Sequence, residues 1–266
     1  MTDTRRLIQR LNEQAQKEGE LPRLLKFYRE LLEAQEQVEE RMSSRPPVEK
    51  SREDILRQLE EGVPLLTGED VTPYLDELRR AFKQVSTIYA AYADLFDIDM
   101  AQPEPEFPET PVRVCGGPGE ATEPAGSLAR SVLHSTLRPF ITSRARALSF
   151  PQESWRRSYC PVCGGLPDLA YLDQEKGARW LLCSRCDTGW LYQRLQCPAC
   201  GTQEQGVLSF LTDDSGRYRV YLCDSCRHYI KAIDLRQAGT GTPVALERFY
   251  TLGLDRQAIE RGYKAP

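Results

Sequence analysis

The stretch from Cys160 to Cys226 decides the fold. Cys160-Pro-Val-Cys163-Gly164 opens it, Cys183-Ser-Arg-Cys186 follows, Cys197-Pro-Ala-Cys200-Gly201 repeats the opening, and Cys223-Asp-Ser-Cys226 closes it. Eight of the chain's nine cysteines are thereby placed in four C-x-x-C pairs. Such a turn lets two thiolates bite one ion, and two turns complete a tetrahedron around Zn²⁺ or a single iron. Two other readings compete: structural disulfides, and redox dithiols, which use C-x-x-C singly at a helix start. The amino terminus, Met1-Thr-Asp-Thr-Arg-Arg-Leu7, has no apolar core of a secretory signal. No run approaches the roughly 18 apolar residues of a membrane span. A cytoplasmic chain is therefore expected, where stable disulfides are rare, and metal is the favoured reading.

The stretch is an internal repeat. Cys160-Pro-Val-Cys163-Gly164 aligns with Cys197-Pro-Ala-Cys200-Gly201, and the run Trp180 to Cys186 aligns with Val220 to Cys226. Nineteen residues, Gly164 to Leu182, separate the two pairs of the first half, and twenty-two separate those of the second. Each length suits two strands and a turn, at Gln174 to Gly177 and at Asp213 to Gly216. A hairpin goes out and returns, so each half closes its own site: Cys160, Cys163, Cys183 and Cys186, then Cys197, Cys200, Cys223 and Cys226. A cross-braced pairing stays open, because only ten residues separate Cys186 from Cys197. Gly164 and Gly201 suit a positive φ that turns backbone N–H groups toward sulfur. The trailing turns carry Asp187 and Arg227 there instead.

Around this region the chain reads as helical. With 266 residues, 40% of them hydrophobic, it can bury a core and form two domains. Apolar residues at Leu24, Phe27, Tyr28, Leu31, Val38 and Met42 predict a helix from Thr4 to about Met42, broken by Pro46-Pro47. Ser51 and Asp54 form a capping-box pattern opening a helix through Leu59. Thr72-Pro73 starts the next helix, whose stripe runs Leu78, Phe82, Val85, Tyr89, Tyr92 and Phe96 and reads as packing. Residues 103–127 are a Pro/Gly-rich loop. Ser127 to Phe150 is helical again, with Pro139 expected to kink or split it. Beyond Ser154 strands take over, until a helical segment entered at Thr242-Pro243 carries Leu246, Phe249, Leu252 and Ile259.

The expected class is α+β: an N-terminal helical bundle over 1–153, two tandem rubredoxin-like or zinc-ribbon modules at 154–194 and 195–236, and a C-terminal helical segment at 237–266. His228 and His134 read as surface, packing or supporting residues, and Cys115 as a free loop thiol. No catalytic set accompanies the cysteines: there is no phosphate-binding glycine loop and no H-E-x-x-H. Four thiolates per ion leave no open coordination position, so an enzyme is not expected. Arg156, Arg157, Arg179, Arg217 and Arg219 beside aromatics would suit a nucleic-acid-binding ribbon. Against this stand a net charge of −4 and the neighbouring acidic residues. A rubredoxin-like electron-transfer or redox-sensing protein is the other alternative, since an S4 site does not by itself separate iron from zinc.

The doubled C-P-x-C-G…C-x-x-C module, the helical first half and the closing run Leu246-Glu-Arg-Phe-Tyr-Thr-Leu-Gly-Leu-Asp-Arg-Gln-Ala-Ile-Glu-Arg-Gly-Tyr263 together resemble the formate dehydrogenase accessory protein family. The specific part is Ser158 to Tyr263. That resemblance implies a cytoplasmic assembly factor that binds the catalytic subunit of a respiratory, molybdenum- or tungsten-containing formate dehydrogenase before export. It also implies rubredoxin-type iron at the C-x-x-C sites, carried here by all eight cysteines. The factor would not be a dehydrogenase itself.

Overall fold

The computed structural model describes residues 3–42, 50–66, 71–96, 105–108, 127–239 and 241–265. Pro46-Pro47, Cys115 and nearly all of the expected 103–127 loop lie outside them. The chain forms two compact units: residues 1–50 with 66–148, and residues 51–65 with 149–266.

The first unit is helical. The continuous helix expected from Thr4 to Met42 is two, α1 (Asp3–Glu18) and α2 (Arg23–Met42). Gly19 turns the chain with φ 83°, and Pro22 has no N–H to extend α1. The shift brings Leu25, not Leu24, into the core. Thr72-Pro73 opens a short 3-10 turn before α4 (Leu75–Ala91), and the Thr72 hydroxyl caps nothing. The stripe Leu78, Phe82, Val85, Tyr89 and Tyr92 is buried as expected, but Phe96, five residues beyond the end of α4, is 38% exposed. Phe27 of α2 meets the rings of Tyr89 and Tyr92 edge-on, at 5.0 and 5.5 Å.

Pro139 does not split the next helix: α5 runs unbroken from Ser127 to Ala147. A helical proline leaves the carbonyl four residues earlier without its donor, here that of Ser135. Gln35 of α2 reaches across and donates to that carbonyl at 2.8 Å. The buried acceptor is satisfied from outside the helix, which removes the main reason to break it.

The second unit begins with α3 (Arg52–Glu61), numbered by its place in the chain. The Ser51 hydroxyl accepts from the Asp54 N–H at 3.0 Å, and Gly62 ends the helix with φ 77°, as the capping pattern requires. The rest of the unit is a six-stranded sheet of β1 (Pro167–Leu172), β2 (Arg179–Cys183), β3 (Gly189–Leu191), β4 (Leu208–Thr212), β5 (Tyr218–Cys223) and β6 (His228–Asp234). The two hairpins, β1–β2 and β4–β5, fall where the repeat puts them, turning at Gly177 and Gly216, both with positive φ. Each trailing cysteine turn then starts a third strand, so each half is a three-stranded antiparallel ribbon.

The strand order is β3-β2-β1-β6-β5-β4. The ribbons fuse through parallel pairing of β1 with β6, from Leu169↔Lys231 to Leu172↔Asp234. Ribbon one contributes its first strand to this seam and ribbon two its last. Equivalent strands are therefore inequivalent: β1 is central and largely buried, whereas β4 is an edge strand and largely exposed.

The chain closes with α6 (Val244–Tyr250) and α7 (Leu252–Glu260), separated at Thr251. Of the apolar residues this segment carries, Leu246 and Ala258 are buried, whereas Leu252 and Ile259 are 45% and 59% exposed. The break at Thr251 resets the helical phase. Polar side chains of this segment carry much of its attachment: Glu247 accepts from Arg217 at 3.0 Å and from the Tyr218 hydroxyl at 2.7 Å.

Candidate metal centres

Four tight turns position the cysteines. Gly164 and Gly201 close the leading turns with φ 71° and 75°. Asp187 and Arg227 close the trailing ones at 56° and 59°, a region L-residues enter at a cost of about 1–2 kcal/mol. All four turns carry the same backbone bond from the residue after the second cysteine to the carbonyl of the first, at 2.8–3.2 Å. The αL step is thus a property of the turn, and glycine only eases it.

The folded hairpins bring together Cys160, Cys163, Cys183 and Cys186, and separately Cys197, Cys200, Cys223 and Cys226. Within each group the four Sγ atoms lie within 4.8 Å of one another, so either group could hold a metal ion. Sulfur pairs in the first group stand 3.5–3.6 Å apart, and in the second 3.7–3.8 Å. A tetrahedron with metal–sulfur bonds of about 2.3 Å has edges of about 3.8 Å, whereas a disulfide needs about 2.05 Å. The geometry suits an ion and does not suit a covalent bridge. The grouping joins the pairs within each half, not across halves.

The surroundings fit thiolates. Val162 N–H points at Cys160 Sγ and Arg185 N–H at Cys183 Sγ, both at 3.4 Å. Burial, reinforced by the thiols of Cys163, Cys183 and Cys186, pushes the Cys160 thiol well above its ordinary range. Four thiolates in that setting require a cation to offset them. A metal held by all four sulfurs would have no position open to substrate.

The two groups differ in access. In the first, Cys160, Cys163 and Cys183 are fully buried and Cys186 is 2% exposed. The segment 51–65 helps cover it: Leu65 N–H donates to the Pro161 carbonyl at 2.8 Å, and the Tyr159 hydroxyl to the Gly62 carbonyl at 2.7 Å. In the second, Cys200 is exposed and Cys226 half-buried. Beside it a small cleft of about 80 Å³ opens between the Arg194–Ala199 turn and β4.

The remaining candidates take internal roles. His228 turns its Nδ1 toward the Cys226 carbonyl at 3.0 Å and supplies no metal ligand. His134 is half-buried in α5. Three of the five arginines of the nucleic-acid alternative are engaged within the unit: Arg179 is 2% exposed and donates to the carbonyls of Gln193 and Gln196, Arg217 is held by Glu247 and Arg219 by Asp234. Arg156 and Arg157 reach backbone carbonyls, including those of Leu191 and Glu60. Sequence reasoning missed Arg248 and Tyr263, which engage the trailing turns; the non-glycine residues at 187 and 227 were the signal that could have led to them.

No described helix is long and apolar enough to cross a membrane. The family model for the FdhE central domain matches residues 159–194, the whole of the first ribbon. An FdhE homolog of Aquifex aeolicus is 39% identical over 138 residues, 50% of this chain and 48% of the relative. The FdhE protein of Escherichia coli O127:H6 is 29% identical over 51% of this chain and 43% of its own. The matched part thus spans about half the length of these curated relatives. The crystal structure of the FdhE protein from Pseudomonas aeruginosa shares the fold over 99% of this chain and 91% of its own, with TM-score 0.62 at 20% identity. The chain is thus similar to FdhE proteins at its first ribbon by family model, over about half its length by sequence, and over nearly its whole length by fold.

Proposed function

We propose that the protein is a cytoplasmic accessory factor that binds the catalytic subunit of a respiratory formate dehydrogenase and is needed for its maturation, without being an enzyme itself. What supports this reading is the similarity to FdhE proteins together with two groups of four cysteines, each able to hold an ion with all four sulfurs. A site built that way holds structure or an electron, and leaves no place for a substrate to bind the ion. The eight ligands are Cys160, Cys163, Cys183, Cys186, Cys197, Cys200, Cys223 and Cys226, holding two ions of iron or zinc.

Deletion of the gene tests the client role. Formate oxidation is expected to fall to background while the dehydrogenase polypeptide is still made; full activity in the deletion strain would refute the assignment. Metal analysis and an absorption spectrum of the anaerobically purified protein test the ligand set. Two ions per chain are expected, with a red ferric tetrathiolate chromophore marking iron and a colourless protein marking zinc.

A further inference from the structure

One segment of the chain grips the trailing turn of both cysteine groups. At its start, Arg248 of α6 spreads its guanidinium over three acceptors at the first group. Nε donates to Asp168 Oδ2 at 2.6 Å, Nη1 to Asp187 Oδ1 at 2.6 Å, and Nη2 to the carbonyl of Cys183 at 2.7 Å. The side chain is only 12% exposed, so these charge-assisted bonds are shielded from water.

At its end, the segment docks on the second group. The Tyr263 hydroxyl donates to Asp224 Oδ1 at 2.6 Å, the Tyr263 ring lies 3.9 Å from the Arg227 guanidinium, and Lys264 N–H donates to the Arg227 carbonyl at 2.7 Å. Between the ends, Asp255 of α7 accepts from the Tyr229 hydroxyl at 2.8 Å and from Lys231 at 2.6 Å, which pins the segment to β6. Asp187 and Arg227, the two non-glycine residues at positive φ among the described residues, thus lie where it meets the two turns. A glycine would make either turn more easily but would offer no side chain to hold.

We propose that Val244–Lys264 is a clasp that couples the two metal centres. An ion at either group orders its trailing turn and so fixes one end of the segment. The fixed end keeps the other at high local concentration beside the second group. Metal at one centre therefore favours retention of metal at the other, and the coupling is reciprocal. Arg248 and Tyr263 are positioning residues, since neither supplies a ligand atom. The proposal rests on the metal reading above.

The test uses the full chain loaded with cobalt(II), whose thiolate absorption follows each ion, and challenged with a chelator in a stopped-flow instrument. Cys200→Ser, which stays folded and keeps only the first group complete, identifies that group's release phase and leaves the other phase to the second group, and circular dichroism monitors the fold. Arg248→Gln is expected to speed release about tenfold at the first group, the scale of one charge-assisted hydrogen bond, and to speed it severalfold at the second. Tyr263→Phe keeps the ring and loses only the hydroxyl; it is expected to speed release at both, more at the second. If Arg248→Gln unfolds the unit, Tyr263→Phe decides. Release accelerated only at the adjacent group overturns the clasp, because coupling through the sheet alone does not depend on these side chains. A wild-type chain that takes up no cobalt overturns the metal reading, and the clasp with it.

Discussion

The two cysteine groups are near copies in sequence and opposites in setting. Their turns share spacing, leading Pro and Gly, and backbone bonding. Yet three of the four sulfur-bearing residues of the first are fully buried, while the second leaves Cys200 exposed. The cause is the seam. Because β1 pairs with β6, the leading turn of ribbon one feeds a central strand, and that of ribbon two feeds the free edge β4. Among the described residues, the cover over the first, residues 51–65, has no counterpart over the second. A repeat thus supplies two equal sites, and the way its copies join makes one of them accessible.

The largest expected effect breaks the symmetry outright. Metal in a closed site of this kind contributes on the order of 10 kcal/mol, and at the first group its loss also exposes the buried cover. Cys163→Ser is expected to unfold the sheet unit at room temperature, whereas Cys200→Ser, at the rim, is expected to leave it folded with a lower melting temperature. Thermal melts by circular dichroism decide this; equal loss in both variants would show that access does not track structural weight.

The second effect concerns reactivity once the metal is removed. Burial raises the Cys200 thiol, but the Thr202 N–H and the thiols of Cys226, Cys197 and Cys223 donate to it, and the balance leaves it below the ordinary thiol range. Cys160 is held well above that range. The thiolate is the reacting form, and a lowered pKa keeps it populated to lower pH. As a limiting amount of chelator withdraws the ions while the unit stays folded, iodoacetamide is therefore expected to label Cys200 first, about tenfold or more ahead of Cys160, with the gap persisting as pH falls from 9 toward 7. Peptide mass spectrometry of the labelled chain checks the order.

Much of this was legible in the sequence because the signals were local. The spacing of Cys160 to Cys226 carries the hairpins and the closure of each group on itself. The capping pair Ser51 and Asp54 marks a helix start that the structure forms. What escaped has no local signature. Gly189-Trp190-Leu191 is too short to read as a strand, and the parallel seam of β1 with β6 is a contact between residues about sixty positions apart. The survival of α5 through Pro139 depends on Gln35, a hundred residues earlier. Arginines that looked like a nucleic-acid surface are held by Glu247 and Asp234. The cover of the first group by residues 51–65 is likewise a contact across about a hundred residues.

A smaller effect sharpens the comparison at one equivalent pair of positions. After the leading turns stand Gly165 in ribbon one and Thr202 in ribbon two, with the same backbone bond to the first cysteine, at 2.8 and 2.9 Å. A Cβ at Gly165 would lie 3.0 Å from Cys183 Sγ and 2.9 Å from the Arg185 side chain. Overpacking of this kind costs about 1–3 kcal/mol. Gly165→Thr is expected to lower the melting temperature by several degrees and speed metal release at the first group, while Thr202→Gly stays within about 1 kcal/mol of wild type. A Thr at 165 that melts like wild type would show the first group to be less tightly packed than its burial indicates.

The smallest effect sets two opposing terms against each other at the trailing turns. Replacing Asp187 or Arg227 by glycine relieves about 1 kcal/mol of left-handed strain, equally in both ribbons. The losses differ. Asp187 accepts from the shielded Arg248 at 2.6 Å, a charge-assisted bond of about 1.5–3 kcal/mol, and its removal leaves part of a nearly buried guanidinium without a partner. Arg227 is half exposed in its ion pair with Asp224, where such pairs give about 0–1 kcal/mol. Its stacking on Tyr263 adds about 0.5–1 kcal/mol. Asp187→Gly is therefore expected to destabilise the metal-loaded protein by about 1 kcal/mol, a shift of about 2–4 °C for a domain of this size. Arg227→Gly is expected to leave the melting temperature nearly unchanged, because its loss and its relief cancel. If both variants melt alike, the trailing turns of the two ribbons are energetically equivalent, and the difference between the metal centres lies in solvent access alone.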